Sequence, residues 1–297
     1  MLLQIMMVGV AVSLSCAILG VFLVLKGATM VSDAITHTVL LGIVLGYFIV
    51  HDLNSPILLI GATIIGVVTV WAIEALRQTG LVEQDAATGF VFPFLFAIAL
   101  ILMTRYAGDV HLDVDAVFMG QLGFTVFDRV ELLGMDIGPR AFWNSLIIFL
   151  LNSAFVSYFY KELKVSTFDQ HYAHALGVPL AFIHYGLMTL VSLTAVGAFQ
   201  SVGSILVVGF LVGPALTGYL LSDRLASVIG ISLLAAVFNS VVGIYLAYRL
   251  DLSYAGVIAA VTGVVAFISF LFSPRKGALK GYFNRRKRQA DLIDQQR

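Results

Sequence analysis

The sequence predicts an all-α integral membrane protein, a polytopic helical bundle of about nine transmembrane helices, with eight as the alternative. Three observations carry this reading. Hydrophobic residues make up 60% of the chain and charged ones 11%, which places it in the bilayer. Apolar runs of about 20 residues, the length needed to cross ~30 Å of hydrocarbon, recur along nearly all of it. Lys26, Arg77, Lys161 with Lys164, Arg224 and the basic tail fall in alternate connections, and the opposite ones are neutral or acidic apart from scattered arginines, the bias of the positive-inside rule.

The first run, Leu2 to Leu25, has no basic segment ahead of it and is long enough to span, so it reads as a retained helix. Its Cys16, the only cysteine, has no intrachain partner and reads as a small packing residue. Lys26 closes this run, and the second, 29–50, follows; in the eight-helix alternative it dips into the membrane and returns. The third run, 56–76, lies between His51–Ser55 and Arg77, with Glu74 at its end, and the fourth covers 86–104. A long polar segment, Arg105 to Arg140, leads into the fifth run, 142–160, which Lys161 and Lys164 terminate. The sixth, 179–199, starts on Pro179 at a permitted first-turn position. A tight turn at Gln200 separates it from the seventh, 203–221, and Arg224 precedes the eighth, 226–247. After Arg249–Ser253 the ninth, 254–273, completes one membrane domain over residues 1–274. Lys26, Arg77, Lys161, Lys164 and Arg224 share one side, assigned to the cytosol, which puts the N-terminus outside and the C-terminus inside.

Residues 275–297 form a basic cytoplasmic tail with eight Lys/Arg against two Asp, so the zero net charge hides a deficit of six in the rest of the chain. The tail reads as an electrostatic anchor to anionic lipid and not as a nucleic-acid element, since no folded soluble domain accompanies it. Several chemistries lack their motifs. The chain has no G-x-x-x-x-G-K-[ST] phosphate loop, G-x-S-x-G elbow or H-E-x-x-H. ATP hydrolysis is therefore not expected of this chain, nor is any enzyme activity nominated.

Asp33 and His37 stand out because they are four apart, on one face of a helix, with His37 about two turns inside the second run at ~1.5 Å per residue. Ionisable groups in a membrane commonly mark an ion or substrate path. The competing reading is a helix cap at Asp33 with His37 bonded to a neighbouring hydroxyl, Ser32 and Thr36 being at hand. The residues alone balance the two. A secondary carrier would show inverted repeats with broken helices in both halves, whereas Asp-x-x-x-His has no counterpart after residue 150.

The stretch "KGATMVSDAITHTVLLGIVLGY" resembles the signature of the metal-specific ABC transporter permeases, the manganese, zinc and iron importers, in which the segment reads approximately G-D-A-I-S-H-[AST]-V-L-x-G. Ser32 replaces the usual Gly and Thr36 the usual Ser; the acid and the imidazole are kept. "VEQDAATGFVF", "STFDQHYAHALGVPLAFIHYGLMTLVSLTAV", "FQSVGSILVVGFLVGPALTGYLLSDRL" and "LDLSYAGVIAAVTGVVAFISFLFSPRKG" are similar to that family too, so the likeness runs to Leu279. It implies a multi-pass permease of a prokaryotic plasma membrane, working as a pair with a second copy or a related permease. It also implies two copies of a cytosolic ATP-binding subunit, an extracytoplasmic metal-binding protein, and no permanently bound cofactor. The transported ion would be Mn²⁺, with Zn²⁺ or Fe²⁺ as alternatives; manganese follows from the subgroup likeness alone.

The donor chemistry agrees with this. One carboxylate and one imidazole are too few for a divalent cation, whereas two chains about a two-fold axis offer a mixed N/O set suited to Mn²⁺, Fe²⁺ or Zn²⁺. Gly42 and Gly46 on the same helix have the small-xxx-small spacing of a close helix contact, either between chains or within one. The resemblance assigns ATPase coupling to "FDQHYAHALGVP", with Asp169, Ala173, Ala175 and Gly177 matching the family pattern. His171 and His174, three apart, make an incomplete ligand set, and His184 reads as a packing histidine. His111, Asp113 and Asp115 in the outer segment alternate along one edge and are candidates for cation entry or docking of the binding protein. The turn "GAFQSVGS", with Gln200, Ser201 and Gly203, is a candidate gate wall.

Overall fold

In the computed structural model of this chain, residues 1–51, 55–106, 122–132 and 135–273 are described. Four helices come first: α1 (Leu2–Leu25), α2 (Thr29–Val50), α3 (Pro56–Gln78) and α4 (Gln84–Tyr106). A two-stranded antiparallel hairpin, β1 (Arg129–Leu132) and β2 (Met135–Pro139), precedes α5 (Arg140–Tyr158). Two short helices, α6 (Tyr160–Phe168) and α7 (Gln170–Ala175), lead to α8 (Leu180–Leu221), α9 (Leu225–Leu250) and α10 (Tyr254–Phe272). Nine segments among the described residues are long and apolar enough to cross a membrane, α8 contributing two, Leu180–Phe199 and Ser201–Leu221. The nine-helix reading stands, and the second run is a full helix.

Stop signals in the sequence act where they fall. Gly27, at φ 67°, ends α1: its N–H bonds Val24 O and the N–H of Ala28 reaches back to Leu23 O at 2.9 Å. Ser55 caps α3 by accepting the N–H of Ile57, with Pro56 at the permitted first position. The hairpin is an element that hydropathy does not signal, because it is held by polar contacts. Arg129 pairs with Asp136 and also reaches Gln4 Oε1 of α1 at 3.1 Å. The Gly138 N–H and the Arg129 guanidinium together hold the exposed Asp136 carboxyl below its usual range.

The bundle is built around α1. Its span is 78% buried, against 22% for α4 and α10, which are nearly as apolar, and 22% for the less apolar α5. Leu19, Phe22 and Leu23 of α1 meet Leu206, Phe210 and Leu211 of α8 in the fully buried core. Gly20 makes this contact possible, since a Cβ there would lie 1.8 Å from the carbonyl oxygen of Leu211. Buried polar groups tie helices together where lipid offers no partner. Asn152 of α5 donates to Ser15 O of α1 and to Thr194 Oγ1 of α8, and Thr69 of α3 donates to Thr38 of α2 at 2.8 Å.

The chain reverses inside α8. In its first half Gly186 meets Phe155 and Gly197 meets Ile148, antiparallel to α5; in its second half Gly213 meets Thr262 and Leu220 O accepts from Ser273, parallel to α10. The turn falls on Gly203, at φ 77° and ψ 164°, a conformation essentially confined to glycine. It lies three residues after Gln200, where the sequence suggests it, because only a residue without Cβ can take the strained position. Gly203→Ala is expected to cost about 1–3 kcal/mol, read as a lower thermal midpoint in detergent; an unchanged midpoint would contradict this account of the reversal.

Candidate functional site

Asp33 lies in the second turn of α2 and His37 one turn further on, so both side chains leave the same face. His37 Nε2 is 3.6 Å from Asp33 Oδ1. The imidazole stacks on Phe92 of α4 with ring centroids 5.4 Å apart, and the edge of Phe96 approaches at 6.0 Å. The two aromatics hold the ring in place while 26% of its surface, and 39% of the Asp33 side chain, stays exposed on a membrane-spanning helix. Asp33 does not cap α2: the N-cap position is Ala28, with no side-chain bond, and no acid occupies the first turn. The hydroxyls of Ser32 and Thr36 donate to the backbone carbonyls of Thr29 and Asp33. A partly exposed N/O pair, fixed in orientation and unused for capping, can offer two donors to a cation arriving from outside the chain.

Gly42 and Gly46 pack within the chain. A Cβ on Gly42 would meet Ala62 Cα at 2.3 Å, and one on Gly46 would meet Leu58 Cα at 3.2 Å. They press α2 against α3, which leaves the Asp33–His37 face turned toward α4. Of the other candidates, Ser201 is buried and Gly203 makes the reversal, while the side chain of Gln200 lies outside the described residues. His111, Asp113 and Asp115, and the tail from 275 onward, also lie outside them.

The segment read as a coupling surface folds into α7, a six-residue helix with both ends capped. Asp169 Oδ1 accepts the N–H of Tyr172 at 2.8 Å at its start. At its end Gly177, at φ 73°, donates to His174 O while the N–H of Val178 returns to Ala173 O, the two bonds of a Schellman motif. Ala173 is fully buried; His171, Tyr172, His174, Ala175 and Leu176 are exposed. A docking helix needs this division into one anchored residue and a free face.

The sequence reading misses one polar cluster. His184, taken there as a packing residue, has its Nε2 2.9 Å from Glu74 Oε2 at the end of α3, and Arg77 Nη2 is 2.7 Å from Glu74 Oε1. Lys26, from the α1–α2 connection, lines the same cavity of about 260 Å³; burial lowers its ammonium pKa, an effect the Glu74 charge opposes. The available signal was that Glu74 and His184 each sit about one turn inside the same-side ends of two spans.

Known proteins match this chain along its length. The manganese transport system membrane protein MntD of Bacillus subtilis (strain 168) is 42% identical over 271 residues, 91% of this chain and 92% of that protein. The zinc transport system membrane protein TroD of Treponema pallidum (strain Nichols) is 42% identical over 294 residues, 98% of this chain and 79% of its own. Among solved structures, PsaBC from Streptococcus pneumoniae in complex with Fab superposes with a TM-score of 0.76 at 27% identity, covering 93% of each chain. Residues 1–273 match the ABC 3 transport family, and this multi-pass membrane chain belongs to it.

Proposed function

We propose that this protein is the permease subunit of an ATP-binding-cassette importer for a divalent transition metal, with Asp33 and His37 as its share of the ion site. The single observation that carries the reading is the partly exposed Asp33–His37 pair on a membrane-spanning helix, oriented by Phe92 and not engaged in capping. Among the described residues no three His, Cys, Asp or Glu side chains come together as a metal site within the chain. A second permease supplying the same two groups would raise the set to four donors, enough for a tetrahedral or partly hydrated cation. Manganese is the preferred cargo because manganese permeases recur among the relatives. Zinc is the second reading, favoured by an equal 42% identity to a zinc permease. Metal content per permease pair, measured on the purified complex, tests both cargo and stoichiometry: one ion per pair supports the shared site, and one per chain overturns it.

The bundle end carrying Lys26, Arg77, α7 and Arg224 is assigned to the cytosol by the positive-inside rule. There the exposed face of α7 would meet a separate ATPase, while the hairpin end would receive an extracytoplasmic metal-binding protein. Cys16 is buried, so introduced cysteines can be read against a low background. A cysteine in place of the exposed Ala175 is expected to react with an impermeant thiol reagent only from the cytosolic side, and one in place of the exposed Phe127 only from outside. The opposite pattern would reverse the orientation and the import assignment with it.

A further inference from the structure

The Glu74 cluster sits directly behind the helix assigned to ATPase docking. Its cavity is lined by Ser166 of α6 and Gln170 of α7 as well as by Lys26, Glu74, Arg77 and His184. Its charges argue against a ligand site: Lys26 and Arg77 disfavour a cation, and Arg77 and His184 are already engaged by Glu74. What the cluster does is join elements. His184 is in the second turn of α8, just beyond the Gly177 turn that ends α7, and its imidazole meets Glu74 in the last turns of α3. From there α3 leads to the ion pair. Thr69, five residues from Glu74, donates to Thr38, the neighbour of His37, and Gly42 lies against the backbone of Ala62.

We propose that Glu74 and His184 are positioning residues for transport, a polar tie that passes movement of α7 through α3 to the helix bearing Asp33 and His37. A carboxylate held between an imidazole and a guanidinium favours one geometry, because moving it away from either partner breaks a short polar contact at Glu74, itself only 20% exposed. The adjoining cavity gives the tie room to shift as a unit, which close-packed apolar side chains would not allow. This inference rests on the reading of α7 as the docking helix and of Asp33–His37 as the ion site.

The test uses the full transporter, with its ATPase, in membranes, and compares Glu74→Gln, His184→Gln and the double variant with Asp33→Asn. Each single change is expected to lower the maximal Mn²⁺ uptake rate about tenfold, a usual size for coupling between sites. Half-saturating Mn²⁺, Mn²⁺ occupancy and ATPase assembly stay as in the parent protein. The double variant is expected to lose no more than the worse single, the mark of two groups acting through one contact. Normal uptake in Glu74→Gln, multiplying losses in the double, or loss of Mn²⁺ occupancy like that of Asp33→Asn would each overturn the tie. If Glu74→Gln does not assemble, Glu74→Asp, which keeps the charge and shortens the reach, is read instead: reduced uptake is expected, and full uptake overturns the proposal. Normal transport by Asp33→Asn would sink the ion-site reading by itself, and ATP hydrolysis in Glu74→Gln would still report whether the tie reaches the ATPase.

Discussion

Asp33→Asn and His37→Ala are each expected to lower metal uptake by more than about 100-fold, since even outer partners of metal ligands are worth 10–100-fold. Asparagine keeps the shape of aspartate and one oxygen donor but loses the charge that makes desolvating a divalent cation worthwhile. Alanine at 37 removes the nitrogen donor and leaves Phe92 without its stacking partner. Neither change should disturb folding, because both side chains are partly exposed and Asp33 caps nothing. Uptake of radioactive Mn²⁺, with assembly of the transporter as the control, is the measurement. Near-normal uptake with either substitution would reduce the pair to a surface feature of α2.

Gly177→Val is the second change with a large expected effect. Gly177 holds φ 73° with open space around it, so a side chain there meets no neighbour and the cost is conformational. A left-handed position costs an L-residue about 1–2 kcal/mol, and a β-branched one suits it least. A six-residue helix has little stability of its own to absorb this. Asp169→Ala, which removes the other cap, is expected to cost about 1 kcal/mol and to act in the same direction. For both variants ATP hydrolysis should become largely independent of metal and uptake should fall, while metal occupancy is unchanged because α7 contributes no donor to the Asp33–His37 pair. Coupled hydrolysis and full uptake in Gly177→Val would move the docking surface away from α7.

Chemistry explains which features were legible. Nine spans could be read because a bilayer imposes one length and one polarity on every crossing, and each connection declares itself by charge, Pro or Gly. Asp33 and His37 were legible as a pair because four-residue spacing means one helix face. The roles of Asp169 and Gly177 were written in local terms too, an N-cap acid and a C′ glycine around a short helix, although the sequence reading took them from family likeness instead of from capping. Glu74 and His184 were not legible as partners, since 110 residues of chain separate them and nothing in either neighbourhood names the other.

By itself, then, the sequence determined the number of crossings, their alternation, and the face on which a carboxylate and an imidazole meet, since all three depend on local spacing and on the solvent. Tertiary structure alone decided that α1 is the central helix, that Gly42 and Gly46 serve α2–α3 packing within the chain, that the reversal falls on Gly203, and that Glu74 holds His184. The physical reason is common to these four. In a chain whose spans are all apolar, hydropathy no longer separates inside from outside. Helix order is then set by where small residues let backbones touch and where the few polar groups find one another.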